Sequence, residues 1–411
     1  MLRDPSDEPF FREWKHRKPN EQRSLIRARR LANLLNLENV SCPILTIVGS
    51  KGKATATTYC SVTLTASGQK VGTISSPPII TNRERIRVNG RAISSRAYKD
   101  LSRNLNAILK DFARDGSEDG YLSPSGLFII MGLHYLLDEG CDVAVLEAGM
   151  GGRSDEVSLF PPSVVAITTI FGEHLGVIGN SVSEIAHDKV GVASSSTKIV
   201  LTVPQSVEVM QVLSIEVERK GCKLVIIEPS NLENNYKKLK LPPGLSAMNA
   251  VLGLQAGYHL LDLQGVPLPS PVNLENLVST VEMPGRLSLH SDQQGRTWVV
   301  DAAINGQGVT IALNWAVAKL GEVDTIIVSV PLGKDVKGVR DALKLRHFIP
   351  VSLDTEHLKF DDDWGTRLIP IDSIDKHIKG SRILAVGTWS FISSILKRFG
   401  VSYERSYYSA R

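Results

Sequence analysis

Thr46-Ile-Val-Gly49-Ser50-Lys51-Gly52-Lys53-Ala54-Thr55 is the stretch on which the reading of this chain turns. It leads from an apolar run over residues 43–48, through two glycines, into a lysine and then a helical pattern over residues 52–67. Glycines let a backbone wrap a phosphate, and a helix N-terminus offers free N–H groups and the positive end of its dipole. Lys53 then supplies charge for β- and γ-phosphates, and a hydroxyl shortly after it can hold Mg²⁺. In the regular loop, GxxxxGK[ST], the hydroxyl follows the lysine directly. Here Ala54 intervenes and the hydroxyl belongs to Thr55. Taken alone, the stretch is also compatible with a plain glycine-containing strand–helix turn.

Outward from this loop, short apolar β-rich runs alternate with helical ones. Strands are expected over residues 43–48, 70–74, 142–146, 164–169, 198–203 and 223–227, and helices over 23–35, 52–67, 98–112, 125–137 and 182–192. Strands that are apolar throughout belong in a parallel sheet covered on both faces. Residues 231–244 are polar, end in Pro242-Pro243-Gly244 and read as a loop; a helix follows over 246–261. Pro284-Gly285 is a plausible hinge. Beyond it the alternation restarts, with strands over 297–300, 325–330 and 383–386 and helices over 309–320 and 391–399. The expected architecture is α/β: a phosphate-loop-containing, mostly parallel sheet domain over residues 1–285, then a smaller Rossmann-like α/β domain over 286–411.

The bulk numbers agree with this. A chain of 411 residues is long enough for two or three domains with their own cores. A net charge of +4, from 47 basic and 43 acidic residues, gives no electrostatic footprint for nucleic acid. The local surplus at Arg23, Arg27, Arg29 and Arg30 reads as the solvated face of the first helix. Cys42, Cys60, Cys141 and Cys222 form no CxxC pair and read as buried free thiols of a reducing compartment. Residues 1–20 are polar and lack the apolar core of a secretory signal, and no apolar run is long enough for a membrane span. A cytoplasmic protein is expected.

Two further stretches carry chemistry. Val143-Ala-Val-Leu-Glu147-Ala-Gly149-Met-Gly151-Gly152-Arg153-Ser-Asp155 puts a carboxylate at the end of an apolar strand, where open α/β sheets bind ligands. Glycines directly after Glu147 argue against a merely exposed strand-end glutamate. Phe171-Gly172-Glu173-His174 follows another apolar strand, and Ser183-Glu184-Ile-Ala-His187-Asp188-Lys189 reads as helix. A structural histidine and a solvent-facing lysine are the plain alternatives there.

Together these segments resemble the Mur ligase superfamily, and most closely its folylpolyglutamate/dihydrofolate synthase branch. That branch carries GTNGKGS, SSPH…RERI, ExGxGGRxD and EIAxxKxGI. This chain has Gly49 to Thr55, Ser75-Ser76-Pro77-Pro78…Arg83-Glu84-Arg85-Ile86, Glu147 to Asp155, and Glu184 to Val192. Asn249, Pro284-Gly285-Arg286, Asp301 and Lys334-Asp335 extend the match in order over nearly the whole chain. The resemblance implies an ATP-dependent carboxylate–amine ligase that works through an acyl phosphate. Gly49, Ser50, Lys51, Gly52, Lys53, Ala54 and Thr55 would hold the phosphates. Thr55, Ser75, Ser76, Glu147 and His174 would hold magnesium, two ions in all. Lys189 matches the lysine that is carbamylated in this superfamily. Asn249 would contact adenine, with Arg286 and Asp301 reaching the nucleotide. Lys53, Lys189, His174 and Arg286 would be the catalytic set. Partners would be a small-molecule carboxylate and an amino acid, glutamate first, in a monomer or small homo-oligomer.

The departures sit at binding positions. The SSPH histidine is Pro78, and the DGAHNP-like segment reads Asp301-Ala-Ala-Ile304-Asn305-Gly306. Leu245 replaces a histidine ahead of Asn249, Glu173 stands for aspartate, and the Phe–Glu pair of the acceptor-side helix reads Ser125-Gly126. Three readings stay open: a folate-type glutamate ligase, an amide ligase for a non-folate acid of specialised metabolism, and a nucleotide-binding pseudoenzyme or scaffold.

Overall fold

The structure, a computed structural model, describes residues 4–112, 120–173, 176–230, 236–354, 358–360 and 364–409, without the side chain of Leu245. His174 therefore lies outside the described residues. The chain forms two compact units. One comprises Leu2–Glu282 and Glu404–Arg411; the other is Met283–Tyr403.

The first unit is built on an eight-stranded sheet of Ile44–Val48 (β1), Val71–Ile74 (β2), Ile86–Val88 (β3), Arg91–Ala92 (β4), Val143–Glu147 (β5), Val164–Ile167 (β6), Ile199–Thr202 (β7) and Lys223–Ile226 (β8), in the order β4-β3-β2-β5-β1-β6-β7-β8. Strands β2, β5, β1, β6, β7 and β8 are parallel, and β1, β2, β5, β6 and β7 are buried along their whole length. That is why they read as continuous apolar runs. The β3–β4 hairpin is antiparallel and turns on Asn89 and Gly90, both at positive φ. Asn-Gly is the local signal of a hairpin turn of this kind.

After β1 the chain enters the helix Lys53–Ala66. This helix packs against Leu245–Gln264 through small residues. A Cβ on Gly253 would lie 2.2 Å from the Ala56 carbonyl oxygen, and one on Gly257 would lie 2.7 Å from Thr63 Cβ. The two backbones touch because these positions carry no side chain. Gly253→Val is expected to cost about 1–3 kcal/mol through overpacking. Urea unfolding would show it as a lowered midpoint at unchanged slope, and an unchanged midpoint would contradict the packing.

The helix Val207–Arg219 falls where no element is expected, in a stretch crowded by the β-branched Val207, Val209 and Val212. The Ser206 side chain caps it, and Val209, Leu213 and Val217 bury its inner face at four-residue spacing. Residues 1–20, read as a charged arm, include the helix Glu8–Lys15, whose Phe10 stacks on Phe128 at 4.1 Å.

The arginine run is not a solvated face throughout, which corrects the expectation. Arg29 and Arg30 are exposed. Arg27 is fully buried, donates to both Glu13 oxygens at 2.7 and 2.8 Å, and also to the Gly120 carbonyl.

The second unit has its own core beneath a six-stranded sheet. Thr297–Asp301 (β10), Thr325–Ser329 (β11), Phe348–Ser352 (β12), Ile369–Pro370 (β13) and Arg382–Gly387 (β14) are parallel. Ser288–Ser291 (β9) runs antiparallel at the edge, giving the order β13-β12-β11-β14-β10-β9. No described helix is long and apolar enough to cross a membrane.

Candidate active site

In the first unit the chain runs from β1 outward to β2, then returns to β5 and crosses to β6 on the other side of β1. Such a reversal leaves a crevice at the carboxyl ends of the strands. Three loops meet there: residues 49–52 after β1, 148–155 after β5 and 168–173 after β6. Register sets Ile47 beside Glu147 and Val48 beside Ile167, so the three loops start level.

The loop after β1 is shaped by two glycines. Gly49 has φ +136°, and a Cβ there would lie 2.0 Å from Thr168 Oγ1. Gly52, at φ +97°, caps the helix Lys53–Ala66, and a Cβ on it would lie 2.1 Å from Asn249 Nδ2. Asn249 is buried against the loop. The Ser50 amide donates to the Thr169 carbonyl at 2.9 Å, and Ser50 Oγ accepts from the Phe171 amide at 3.2 Å. Lys51 is exposed, Ala54 half-buried and Thr55 buried.

Two ammonium groups converge on one carbonyl. Lys53 Nζ donates to the Gly49 oxygen at 2.9 Å, and Lys189 Nζ donates to the same oxygen at 3.0 Å. Lys189 is 1% exposed and pairs with Glu173 at 2.8 Å. Burial holds its pKa below the usual lysine range, the Glu173 charge opposes that, and the Lys53 charge adds to it.

Glu147 is buried at the end of β5 and accepts from the Ser76 amide at 3.2 Å. The Ser75 amide donates to the Arg85 carbonyl at 2.8 Å, and Arg85 Nη1 donates to Ser76 Oγ at 2.9 Å. The Ser76–Pro77 peptide is cis. The Arg85 guanidinium lies over the Phe128 ring at 4.7 Å, and burial draws its pKa down to about 10.

Several residues outside the expected binding and catalytic set hold the loops. Gln205 Oε1 accepts from the Ile170 amide and its Nε2 donates to the Thr168 carbonyl, which fixes the loop after β6. Asp188 accepts from the Gly152 and Ser154 amides, and Asp155 from the Met150 amide. Arg23 reaches this loop from the N-terminal region. It donates to the Met150 carbonyl and faces Asp155 at 3.2 Å and Glu156 at 3.3 Å. Burial, with the Asp155 charge, pushes the Glu156 carboxyl up to about 7, while Arg23 and the Ser123 hydroxyl oppose this. The motif around Asp155 was a signal for that loop; Arg23 sits too far along the chain to carry one.

Arg286 and Asp301 belong to the second unit. Arg286 lies over the Trp389 ring at 4.9 Å, and Asp301 Oδ2 accepts from the Leu287 amide at 2.9 Å. Asp335 accepts from the Gly306 and Gly338 amides and so joins the starts of the helices Gly306–Leu320 and Val336–Leu343.

The fold and site define a two-unit α/β protein with a strand–glycine turn–helix loop at the reversal point of its larger sheet. No protein-family model matches the chain. Bovine mitochondrial folylpolyglutamate synthase is 30% identical over 305 residues, 66% of this chain and 50% of that protein. The dihydrofolate synthase/folylpolyglutamate synthase of Bacillus subtilis (strain 168) is 25% identical over 389 residues, 86% of this chain and 89% of that protein. A Mycobacterium tuberculosis folylpolyglutamate synthase, solved with ADP and AMPPCP, superposes with a TM-score of 0.77 at 22% identity, over 96% of this chain and 99% of that one. In sequence and in fold the chain is similar to folylpolyglutamate synthases and dihydrofolate synthases. It spans about half the length of the bovine relative it matches and most of the bacterial one.

Proposed function

We propose that the protein is an ATP-dependent ligase that joins the amino group of an amino acid, glutamate, to a small carboxylic acid of the folate kind. The observation that carries this reading is the convergence of Lys53 and Lys189 on the Gly49 carbonyl, beside the buried Glu147, at the reversal point of the sheet. The names of the relatives supply the substrate class.

The donor set fits magnesium. It comprises one buried carboxylate, Glu147, and the hydroxyls of Ser75, Ser76 and Thr55, all oxygen. Among the described residues no cluster of three His, Cys, Asp or Glu side chains forms a closed metal cage. Mg²⁺ characteristically binds through one or two carboxylates together with waters and substrate phosphates. Once bound it would offset phosphate charge during transfer.

The chain's own residues would then act as follows. Lys53 and the helix N-terminus at Gly52 bind and orient the nucleotide phosphates. The acid's carboxylate attacks the γ-phosphorus and ADP leaves, giving an acyl phosphate. The amine attacks the acyl carbon, loses a proton, and phosphate departs. Asn249 takes the nucleotide base, and Arg286 and Asp301 serve nucleotide binding. In its ammonium form Lys189 is the cationic partner of Glu173. Its depressed pKa favours the neutral amine, which would add to CO₂ with loss of a proton to give a carbamate, and the carbamate oxygens and His174 would be ligands for a second metal. Cytoplasmic residence goes with this reading.

An amide ligase for a non-folate acid is the second reading, and one contact favours it. At the start of the helix Pro124–Asp138, a Cβ on Gly126 would lie 2.3 Å from the Glu156 carboxyl carbon. The acceptor-side pair is therefore absent from the helix, and a different carboxylate fills the space. A phosphate-release screen of folates and other acids, each with glutamate and Mg-ATP, separates the readings. Release with folates alone supports the first, and release with other acids alone supports the second. Tight ATP binding without release for any acid would leave a nucleotide-binding scaffold. For Lys189, ¹³C-bicarbonate should give a carbamate resonance that Lys189→Ala lacks; full turnover by that variant overturns the role.

A further inference from the structure

Residues 404–409 carry no motif, yet they pack into the first unit although Met283–Tyr403 intervene. Tyr407 is 1% exposed, its hydroxyl is 2.8 Å from Thr65 Oγ1 on the helix Lys53–Ala66, and its ring lies against Gly90. The Glu404 carbonyl accepts from the Ala92 amide at 2.8 Å, and the Ser406 amide donates to the Gly90 carbonyl at 2.9 Å. Arg91 and Arg405 form an antiparallel bridge. The Glu404 carboxylate pairs with Arg83. The segment thus extends the outer edge of the β3–β4 hairpin and ties that edge to the loop-bearing helix.

A chain of buried charge runs from this edge to the loop that carries Ser75 and Ser76. Arg87 Nη1 donates to the Glu404 carbonyl at 3.3 Å, and Arg87 Nη2 lies 3.7 Å from Glu84 Oε2. The Glu84 carboxylate accepts from the amides of Ile79, Ile80 and Thr81 at 3.1, 2.8 and 2.6 Å. Arg85, between them, donates to Ser76 Oγ. Glu84, Arg85 and Arg87 are all buried, so each needs its partners in place.

We propose that the C-terminal segment is a strap that positions the Ser75–Ser76 loop and so sets the affinity of the site's metal side. Its structural half stands on these contacts alone; its kinetic half rests on the ligase reading above. Glu404 and Tyr407 are positioning residues and touch no reacting atom.

The test compares the full chain with a chain ending at Tyr403 and with the milder variants Glu404→Ala and Tyr407→Phe. Backbone amide exchange over residues 79–92 should rise about tenfold in the truncated chain, while exchange in β11 of the second unit stays the same. The Mg²⁺ concentration for half-maximal phosphate release should rise about tenfold on truncation. The point variants should raise it by roughly two- to fivefold, the scale of a partly exposed pair or one hydrogen bond. A synthetic peptide of residues 404–411 should restore both readouts. Unchanged exchange at 79–92 overturns the strap, as does a uniform rise across both sheets. A local rise with an unmoved Mg²⁺ requirement overturns its positioning role. If the full chain releases no phosphate with any acid, the ligase reading fails, and exchange still decides the strap.

Discussion

Lys53→Ala lowers phosphate release by about 10²–10³-fold, the scale on which removing one preorganised charge-stabilising group acts. In the folded chain the Lys53 ammonium meets a backbone carbonyl, Gly49 O, which Lys189 also serves. Its loss therefore leaves that carbonyl with a donor, and stability should shift by no more than about 0.5 kcal/mol. Activity and stability are thus separable. Phosphate release and nucleotide calorimetry should both collapse while the melting temperature holds. Turnover at the parent rate would show that the loop is not the nucleotide site, and the ligase reading would go with it.

Arg23→Ala acts on stability. Arg23 faces two carboxylates, Asp155 and Glu156, whose side chains are 0% and 1% exposed. Removing the cation strands buried negative charge, which costs about 3–5 kcal/mol. The cost depends on pH. The Glu156 carboxyl titrates near 7 in the fold, above its unfolded value. Between those two values the folded chain holds a proton that the unfolded chain has released, so stability falls as pH rises through that window. Without Arg23, which opposes the upward shift, the window widens. The variant should be weakest at pH 8 and recover toward the parent as pH falls to about 5. Guanidinium unfolding at both values checks this. A penalty independent of pH would mean that Glu156 is not the group left stranded.

Much of the candidate site's arrangement was legible from local chemistry. The glycine–lysine loop, Glu147 and Lys189 each stand one step beyond an apolar strand or on the helix that follows, where type and position are set by neighbours in sequence. The structure brings Gly49, Lys53 and Lys189 together, and it pairs Ser76 with Glu147. Other parts were not legible. Arg23 and Arg27 sit in a run of four arginines whose pattern is that of a solvated face, and only tertiary neighbours, Asp155, Glu156 and Glu13, make two of them interior charges. The helix Val207–Arg219 was hidden by β-branched residues of strand-like propensity, which packing of its inner face overrides.

The sequence by itself determined the alternation of elements, the parallel sheet and the family resemblance, because apolar strands, glycine turns and ordered motifs are local properties of the chain. Only the tertiary structure decided which carboxylates share a cation, which glycines are forced by contact, and that the last residues belong to the first unit. Those depend on distances between segments up to some 340 residues apart, as between Thr65 and Tyr407. No local pattern records such distances; they follow from the sheet order and from burial that leaves each charge only the partners within its reach.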